Sequence, residues 1–224
     1  MNRLLNVAIL GNDLSFPDPL TSRKDGLVAI GGDLSPERLI LAYRSGIFPW
    51  SVNPITWWSP EPRGIFELEH FKPQRRVAKL IRQNKFDITI NKAFREVMEG
   101  CASPAPGREE SWITQEFIDA YSQLHAQGLA HSLECWQNNK LVGGIYGVAM
   151  GSFFAGESMF HFVSNASKVA LTSLILHLKN QRFILFDTQT QTNHTSSMGA
   201  ISIPRKEYIH RLKAALKQNT SVMD

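Results

Sequence analysis

The stretch Phe183-Ile184-Leu185-Phe186-Asp187-Thr188-Gln189-Thr190-Gln191-Thr192-Asn193-His194 carries the strongest indication of the fold. Its apolar beginning stops at an acidic residue and continues as a row of amides and hydroxyls. A buried strand that carries polar groups at its end has this pattern, and ligands often bind at such strand ends. We therefore predict a buried strand over residues 183–186 and a ligand site just beyond it.

A second stretch, Gly156-Glu157-Ser158-Met159-Phe160, sets a carboxylate among aromatic and apolar residues. It follows a strand-like run over residues 152–155. A carboxylate in apolar surroundings must be paired or must have a raised pKa, which makes Glu157 a candidate site residue. The pattern also suits a surface acid on a loop after the strand, and both interpretations stay open.

Asp187 and Gln189 are two positions apart, so alternation along an extended strand places both side chains on the same side. A carboxylate beside an amide can orient that amide, or it can stabilise a positive group that enters the cleft. The alternative is a strand-end turn in which Asp187 only accepts hydrogen bonds from backbone N–H groups. The pattern favours neither alternative.

The composition is that of a globular protein, with 224 residues and a formal net charge of +4. No apolar run approaches the ~20 residues that span a bilayer, and we predict neither a membrane segment nor a signal peptide. Cys101 and Cys135 lack metal-type spacing, so we expect free buried thiols in a reducing, cytoplasmic setting. The histidines show no ligand spacing either, and we expect no metal.

Helical and strand-like patterns alternate after residue 85, which predicts an α/β (α+β) fold built on a mixed sheet with helices on its faces. A basic helix over residues 74–85 marks a change in composition, so we place a small N-terminal α/β domain at 1–66 and the main domain at 67–224. The predicted helices cover residues 35–45, 74–85, 92–99, 114–127 and 165–178, with a last helix from 204. The predicted strands cover residues 86–90, 130–136, 140–149, 152–155 and 183–186.

The basic helix carries Arg75, Arg76, Lys79 and Arg82 at three- and four-residue spacing. Phosphates can neutralise such a strip with salt-sensitive affinity, although a solvated helix face is the commoner origin of a charge run. Aromatic residues beside cations suit unpaired nucleotides, because bases stack on them. The aromatic candidates are Trp50, Trp57, Trp58 and Trp112, of which we expect at least one to be core.

Several motifs in unbroken order together resemble the bacterial leucyl/phenylalanyl-tRNA–protein transferase family. They are Gly31-Gly32-Asp33-Leu34-Ser35, Gly46-Ile47-Phe48-Pro49-Trp50, Trp57-Trp58-Ser59-Pro60, Ser111-Trp112-Ile113-Thr114, His131-Ser132-Leu133-Glu134, Val142-Gly143-Gly144-Ile145-Tyr146-Gly147, Gly156-Glu157-Ser158-Met159-Phe160, Asn165-Ala166-Ser167-Lys168 and Asp187-Thr188-Gln189. The resemblance implies a main domain similar to the GNAT acyltransferase fold. It also implies transfer of Leu or Phe, and less readily Met, from aminoacyl-tRNA to the N-terminal Arg or Lys of a protein, creating an N-end rule degradation signal.

The resemblance also implies roles for site residues. Asp187 would polarise Gln189, which contacts the attacking α-amine, and Glu157 would help to position the substrate. A neutral amide is a weak base, so we expect Gln189 to orient the amine while the tRNA's hydroxyls or water move the proton. Trp50 and Trp112 would flank the terminal adenosine, and the basic helix would hold the acceptor stem. The Leu or Phe side chain would be accepted by Phe154, Met159, Leu171, Leu174 and Phe186, which on spacing alone also suit plain core.

No cofactor is expected, because the ester of aminoacyl-tRNA is already activated and the enzyme has mainly to hold ester and amine together. The expected partners are aminoacyl-tRNA carrying Leu, Phe or Met, and proteins with N-terminal Arg or Lys. We expect a monomer.

Two other functions stay open. An acetyl-CoA-dependent GNAT acyltransferase needs a Gly-rich turn before its main helix, where backbone N–H groups hold the pyrophosphate. Here that turn reads Ser164-Asn165-Ala166-Ser167-Lys168 without glycine, which argues against coenzyme A. A non-catalytic RNA-binding module would account for the basic helix and the tryptophans, but not for an acid-lined apolar cleft.

Overall fold

Two β-sheets with helices packed against them make up the part of the chain that the computed structural model describes, residues 7–104, 111–218 and 220–222. The strands are β1 (Ala8–Leu10), β2 (Leu27–Gly31), β3 (Phe48–Val52), β4 (Ile55–Trp58), β5 (Arg63–Phe66), β6 (Asp87–Ile90), β7 (Ala130–Gln137), β8 (Lys140–Met150), β9 (Phe153–His161), β10 (Leu185–Gln189) and β11 (Ile201–Ile203). The helices are α1 (Pro36–Arg44), α2 (Arg75–Arg82), α3 (Phe94–Ala102), α4 (Gln115–Ala126), α5 (Ala166–Asn180), α6 (Asn193–Ser197) and α7 (Arg205–Ala215), and a 3-10 helix covers Pro19–Thr21. The mixed α/β prediction is confirmed.

The smaller sheet has the order β1-β2-β4-β3, in which β1 and β2 are parallel and the other pairs antiparallel. Trp57 on β4 is fully buried, and its Nε1 donates to the carbonyl of Gly31 at 2.9 Å. Trp57 is therefore core, whereas Trp50 on β3 keeps 42% of its surface exposed. The sequence predicted turns rather than strands for much of this region.

The larger sheet has the order β11-β5-β10-β9-β8-β7-β6. Strand β10 is parallel to β9, and the remaining neighbours are antiparallel. Strand β5, on the N-terminal side of residue 66, pairs with β10 and β11, so this part of the first predicted domain contributes to the larger sheet. The division of the chain at residue 66 stays a prediction.

Helices cover both faces of the larger sheet. A Cβ atom added at Gly143 would contact Ala166 of α5, and one added at the next residue, Gly144, would contact Val97 of α3. Because successive side chains on a strand point to opposite faces, α5 and α3 lie on opposite sides of β8. The two adjacent glycines let both helices approach closely.

The β7–β8 hairpin turns at Asn138 and Asn139, whose φ values are 52° and 57°. A two-residue loop of this kind is the turn that the sequence predicted, and it is confirmed. Strand β9 runs on to His161, so Glu157 lies inside a strand and not on a loop after it. Pairing with β8 extends β9, because it satisfies backbone groups that a loop would leave to solvent.

Cys101 and Cys135 are both buried and are not joined by a disulfide, as expected. Within the described ranges, none of the helices combines the length and the apolar character that crossing a membrane requires.

Candidate active site

A cleft of about 340 Å³ opens at the carboxyl end of β10, where the predicted row of hydroxyls and amides begins. Apolar side chains line part of the cleft, and hydroxyls from the end of β10 and the segment that follows it line another part, called here the threonine rim (Thr188, Thr190, Thr192 and Thr195). The structure brings seven of the predicted residues to this cleft, namely Trp50, Trp112, Glu157, Met159, Leu171, Phe186 and Gln189. It is also lined by Phe48, Pro49, Phe66, Ile145, Gly156, Ser158, Thr188, Thr190, Thr192, His194 and Thr195.

Two predicted pocket residues do not reach the cleft surface. Phe154 is fully buried and packs against Phe186, with ring centroids 5.3 Å apart. Leu174 is 2% exposed and belongs to the core beneath α5, whereas Leu171, nearly one turn earlier, faces the cleft. Both residues support the apolar wall from behind, because the residues in front of them cover their side chains.

A β-bulge brings Glu157 to the cleft. Strand β9 pairs Gly156 with Gly147 and Ser158 with Tyr146, so Glu157 has no residue opposite it on β8. Bulges re-aim single side chains and are common beside active sites. Gly156, next to Glu157, is the local signal for this irregularity, because a glycine inside a strand often marks a bulge, although no bulge was predicted there.

A second bulge separates Asp187 from Gln189. Asp187 pairs with Ile65 and Gln189 with Gly64, which leaves Thr188 extra in β10. The prediction that both side chains lie on the same side is therefore wrong, because the bulge breaks the alternation. Asp187 is fully buried and does not line the cleft, whereas Gln189 does.

Asp187 is held by a buried network. Its carboxylate accepts two hydrogen bonds from Arg63, at 2.8 and 2.6 Å, and one from the Tyr208 hydroxyl at 2.9 Å. The Arg63 guanidinium lies over the rings of Phe48 and Tyr208, and it also donates to the carbonyl of Gly46 at 3.1 Å. Arg63 and Tyr208 lie far from Asp187 in the sequence, and local patterns did not indicate them.

Asp187 fixes the backbone of Gln189. Its Oδ1 accepts the backbone N–H of Gln189 at 2.7 Å, and Gln189 has a φ of 64°. A residue other than glycine rarely adopts this left-handed conformation, and local hydrogen bonds stabilise it. Asp187 thus makes the strand-end contact that was the alternative interpretation. The side-chain amide of Gln189 donates instead to Glu157 Oε1 at 2.9 Å.

Glu157 faces a pair of tyrosines. The Tyr121 hydroxyl lies 3.5 Å from Glu157 Oε2 and forms a hydrogen bond with the Tyr43 hydroxyl. Burial raises the pKa of Glu157 to about 7, against hydrogen bonds from Tyr43 and Gln189 that favour the charged form. Burial also raises the pKa of both tyrosines well above its ordinary value, so their hydroxyls stay protonated.

The threonine rim lies where the sequence predicted a ligand site, just beyond residue 186, although its threonines were not named as site residues. Thr192 caps α6 through a capping box with Thr195, and both residues line the cleft. The row of threonines is visible in the sequence, but its pattern alone assigned it no role. His194 also reaches the cleft from α6, and burial lowers its pKa.

The predicted basic strip lies outside the cleft but near its rim. The side chains of Arg75, Arg76, Lys79 and Arg82 are exposed on α2, and none forms a salt bridge with another described residue. Gln74, just before α2, donates to the Ser197 carbonyl at the end of α6. The strip and the threonine rim are thus joined by one hydrogen bond.

Comparison with known proteins covers almost all of the chain. A protein-family model described as leucyl/phenylalanyl-tRNA protein transferase matches residues 65–213. A second family model, described as the N-terminal domain of the same transferase, matches residues 32–61. A transferase of this name from Shewanella pealeana is 47% identical over 214 residues, covering 94% of this chain and 90% of the relative. The chain belongs to the leucyl/phenylalanyl-tRNA–protein transferase family. A family member from Pseudomonas aeruginosa LESB58 is 45% identical, in an alignment that covers 90% of this chain and 91% of the relative.

Similarity to solved structures is more distant than similarity within the transferase family. L-PGS from Bacillus licheniformis aligns with 76% of this chain and 57% of its own at 12% identity, with a TM-score of 0.43. A GCN5-related N-acetyltransferase-like protein from Streptococcus suis aligns with 70% of this chain and 59% of its own at 13% identity, with a TM-score of 0.37.

Proposed function

We propose that this chain transfers Leu or Phe from aminoacyl-tRNA to the N-terminal Arg or Lys of acceptor proteins, forming a peptide bond and an N-end rule degradation signal. Family membership across most of the chain supports this activity. The observation that carries it in this molecule is an apolar cleft with a hydrogen-bonded acid and amide, Glu157 and Gln189, on its wall.

The apolar wall suits the transferred side chain. Met159, Leu171 and Phe186 line it together with Ile145 and Phe66, and the cleft volume of about 340 Å³ accommodates a side chain of Leu or Phe size. An apolar pocket discriminates weakly between similar apolar groups, so Met is expected to be accepted less readily but not rejected.

Trp50 and Trp112 are proposed to flank the terminal adenosine of the tRNA. Both line the cleft, and Trp50 is backed edge-on by Trp58, with ring centroids 5.6 Å apart. Stacking of a base on an aromatic side chain contributes roughly 1–3 kcal/mol. The exposed basic strip on α2 would hold the acceptor stem through phosphates, which carry little sequence information and permit several tRNAs.

Gln189 is proposed to orient the attacking amine. Because its amide nitrogen donates to Glu157, its side-chain oxygen is available to accept a hydrogen bond from the α-amine of the acceptor. Asp187 acts through the backbone of Gln189 and is a positioning residue. The ester is already activated, so positioning of two substrates supplies much of the rate and no cofactor is required.

The acceptor, the oligomeric state and the compartment complete the proposal. The acceptor would be a protein with N-terminal Arg or Lys, and the chain would act as a monomer. Charged tRNAs are found in the cytoplasm, which is therefore the compartment that we propose.

The test is transfer from radiolabelled leucyl-tRNA to two peptides, one beginning with Arg and one with Ala, without ATP or coenzyme A. We expect label on the Arg peptide only. Labelling of neither peptide while tRNA still binds would overturn the transferase and leave an RNA-binding module. A requirement for coenzyme A would favour the GNAT-type acyltransferase.

A substitution pair sharpens the test. Gln189→Ala should lower transfer roughly 10- to 100-fold, because a poorly placed amine reacts more slowly, while tRNA affinity in filter binding stays unchanged. Gln123→Ala, at an exposed position on α4, should change neither quantity.

A further inference from the structure

Glu157 is an acid in the cleft without a cationic partner. Among the described residues it forms no salt bridge, and the buried cation that acts on it, Arg63, is bound to both carboxylate oxygens of Asp187. Its two oxygens are directed to different groups, Oε1 to the Gln189 amide at 2.9 Å and Oε2 towards the Tyr121 hydroxyl at 3.5 Å. The carboxylate is thus oriented by neutral donors, which leave its charge uncompensated.

Titratable or charged groups from five elements act on Glu157. Helix α1 presents Tyr43, α4 presents Tyr121, and β8 presents Tyr146, all of which stay neutral because burial raises their pKa. From β10 the negative charge of Asp187 raises the pKa of Glu157, and from β5 the positive charge of Arg63 lowers it. Burial outweighs these opposed effects and brings the pKa to about 7, near the working pH of a general base.

The acid and the amide next to Glu157, Asp187 and Gln189, are unsuited to removing a proton. Asp187 is fully buried, with its oxygens occupied by Arg63, Tyr208 and the Gln189 backbone. Gln189 is a neutral amide. Glu157 lies within hydrogen-bond reach of Gln189, the residue proposed to hold the amine, and its bulge turns it into the cleft.

We propose that Glu157 accepts the proton that the attacking α-amine loses, and that the hydroxyls of Tyr121 and Tyr43 are positioning groups for its carboxylate. This inference rests on the proposed function. The amine nitrogen forms a bond to the ester carbonyl carbon and gives one proton to Glu157. The bond from that carbon to the ribose oxygen then breaks, and Glu157 returns the proton to this oxygen. The tRNA leaves with a hydroxyl, the peptide bond is complete, and Glu157 is a carboxylate again.

The first measurement compares wild type with Glu157→Gln in single-turnover transfer from leucyl-tRNA to an Arg peptide, from about pH 5 to about pH 9. Gln at this position still accepts a hydrogen bond from Gln189 but cannot take up the proton. We expect a roughly 100-fold lower rate above neutral pH, because general-base catalysis contributes about 10²–10⁴-fold. The ratio of the two rates should fall towards one as the wild-type carboxylate is protonated below about pH 7.

The ratio of the wild-type rate to the Glu157→Gln rate reports the titration of Glu157 alone, because the amine of the peptide titrates identically with both proteins. Glu96→Gln, an exposed acid on α3, serves as the control and should follow the wild-type profile.

The second measurement tests the hydroxyl pair. Tyr121→Phe keeps the ring but removes a donor that favours the charged carboxylate, so the pKa of Glu157 rises and the midpoint of the profile moves to higher pH. Tyr146→Phe is the matched control, since the buried Tyr146 hydroxyl has no hydrogen-bond partner among the described residues. Tyr146→Phe should therefore leave the midpoint of the pH profile unchanged. If Tyr121 has only a structural role, Tyr121→Phe will leave the midpoint unchanged as well.

The outcomes separate the two proposals. Absence of wild-type transfer to the Arg peptide at every pH overturns the proposed function. Wild-type transfer with an unchanged rate and profile in Glu157→Gln overturns the base assignment and leaves the transferase standing. If Glu157→Gln does not fold, the Tyr121→Phe midpoint decides, and an unshifted midpoint overturns the inference.

Discussion

Arg63 and Asp187 show how much of this site depends on single residues. Of the ion pairs among the described residues, theirs is the one in which both side chains are buried. The pair joins β5 to β10, and through Asp187 it also holds the left-handed backbone of Gln189. A buried pair adds little net stability, but removing one partner leaves the other charge without compensation.

We therefore expect Arg63→Met to lower the free energy of unfolding by about 3–5 kcal/mol, measured by urea denaturation. Arg95 supplies the control, because it pairs with Glu99 and Asp119 at the surface, where a pair contributes about 0–1 kcal/mol. Equal losses for Arg63→Met and Arg95→Met would contradict this account of the buried pair.

At the scale of elements, α1 and α4 end in the same way. Gly46 and Gly128 follow these helices with φ values of 77° and 73°. In each case the next residue reaches back five positions, Ile47 to Ala42 and Leu129 to Leu124, both at 2.9 Å. This is the Schellman motif, in which glycine adopts the left-handed conformation without strain. The two ends differ only in what surrounds them.

That difference leads to a matched pair of substitutions. A Cβ at Gly128 would meet nothing within 4 Å, whereas one at Gly46 would overlap Cδ1 of Ile209 on α7. We expect Gly128→Ala to lower the free energy of unfolding by about 1–2 kcal/mol through backbone strain alone. Gly46→Ala should lower it by roughly 1–3 kcal/mol more, because the packing against α7 must shift.

Urea denaturation of both variants provides the measurement. If the two losses prove equal, the contact between the end of α1 and helix α7 does not constrain position 46, and this interpretation of the packing is wrong.

Over the molecule as a whole, charge is unevenly placed. The net charge is only +4, yet the cations of the basic strip on α2 are all exposed and lie next to the rim of the cleft. A local strip of this kind, and not the total charge, is expected to govern tRNA affinity.

We expect the logarithm of tRNA affinity to fall linearly with the logarithm of salt concentration. Replacing Arg76 and Lys79 together by Ala should reduce the slope by about 2, because two phosphates are then no longer neutralised by the protein. Replacing Lys206 and Lys213, exposed on α7, together by Ala should leave the slope unchanged. An unchanged slope in the α2 variant would show that the strip does not contact the tRNA.

Local sequence signals were sufficient for the features that depend on near neighbours. Ser35 caps α1, Gly46 ends it, and the Asn138-Asn139 turn defines the β7–β8 hairpin. Such signals act over a few residues, so pattern and turn chemistry are enough to find them. The order of motifs along the chain likewise identified the family before any contact was known.

The assembly of the site, in contrast, follows only from contacts between distant parts of the chain. These contacts place Phe154 and Leu174 behind the pocket wall, turn Asp187 away from the cleft to Arg63, and bring Tyr43 and Tyr121 to Glu157. Two bulges, at Glu157 and Thr188, set these directions. The bulge at Glu157 arises from the register between the consecutive strands β8 and β9, and the bulge at Thr188 from the register between β10 and β5, which are distant in the chain. A register shift of one residue reverses the side chains that follow. Local periodicity carries no record of that register, because it depends on partners elsewhere in the sheet.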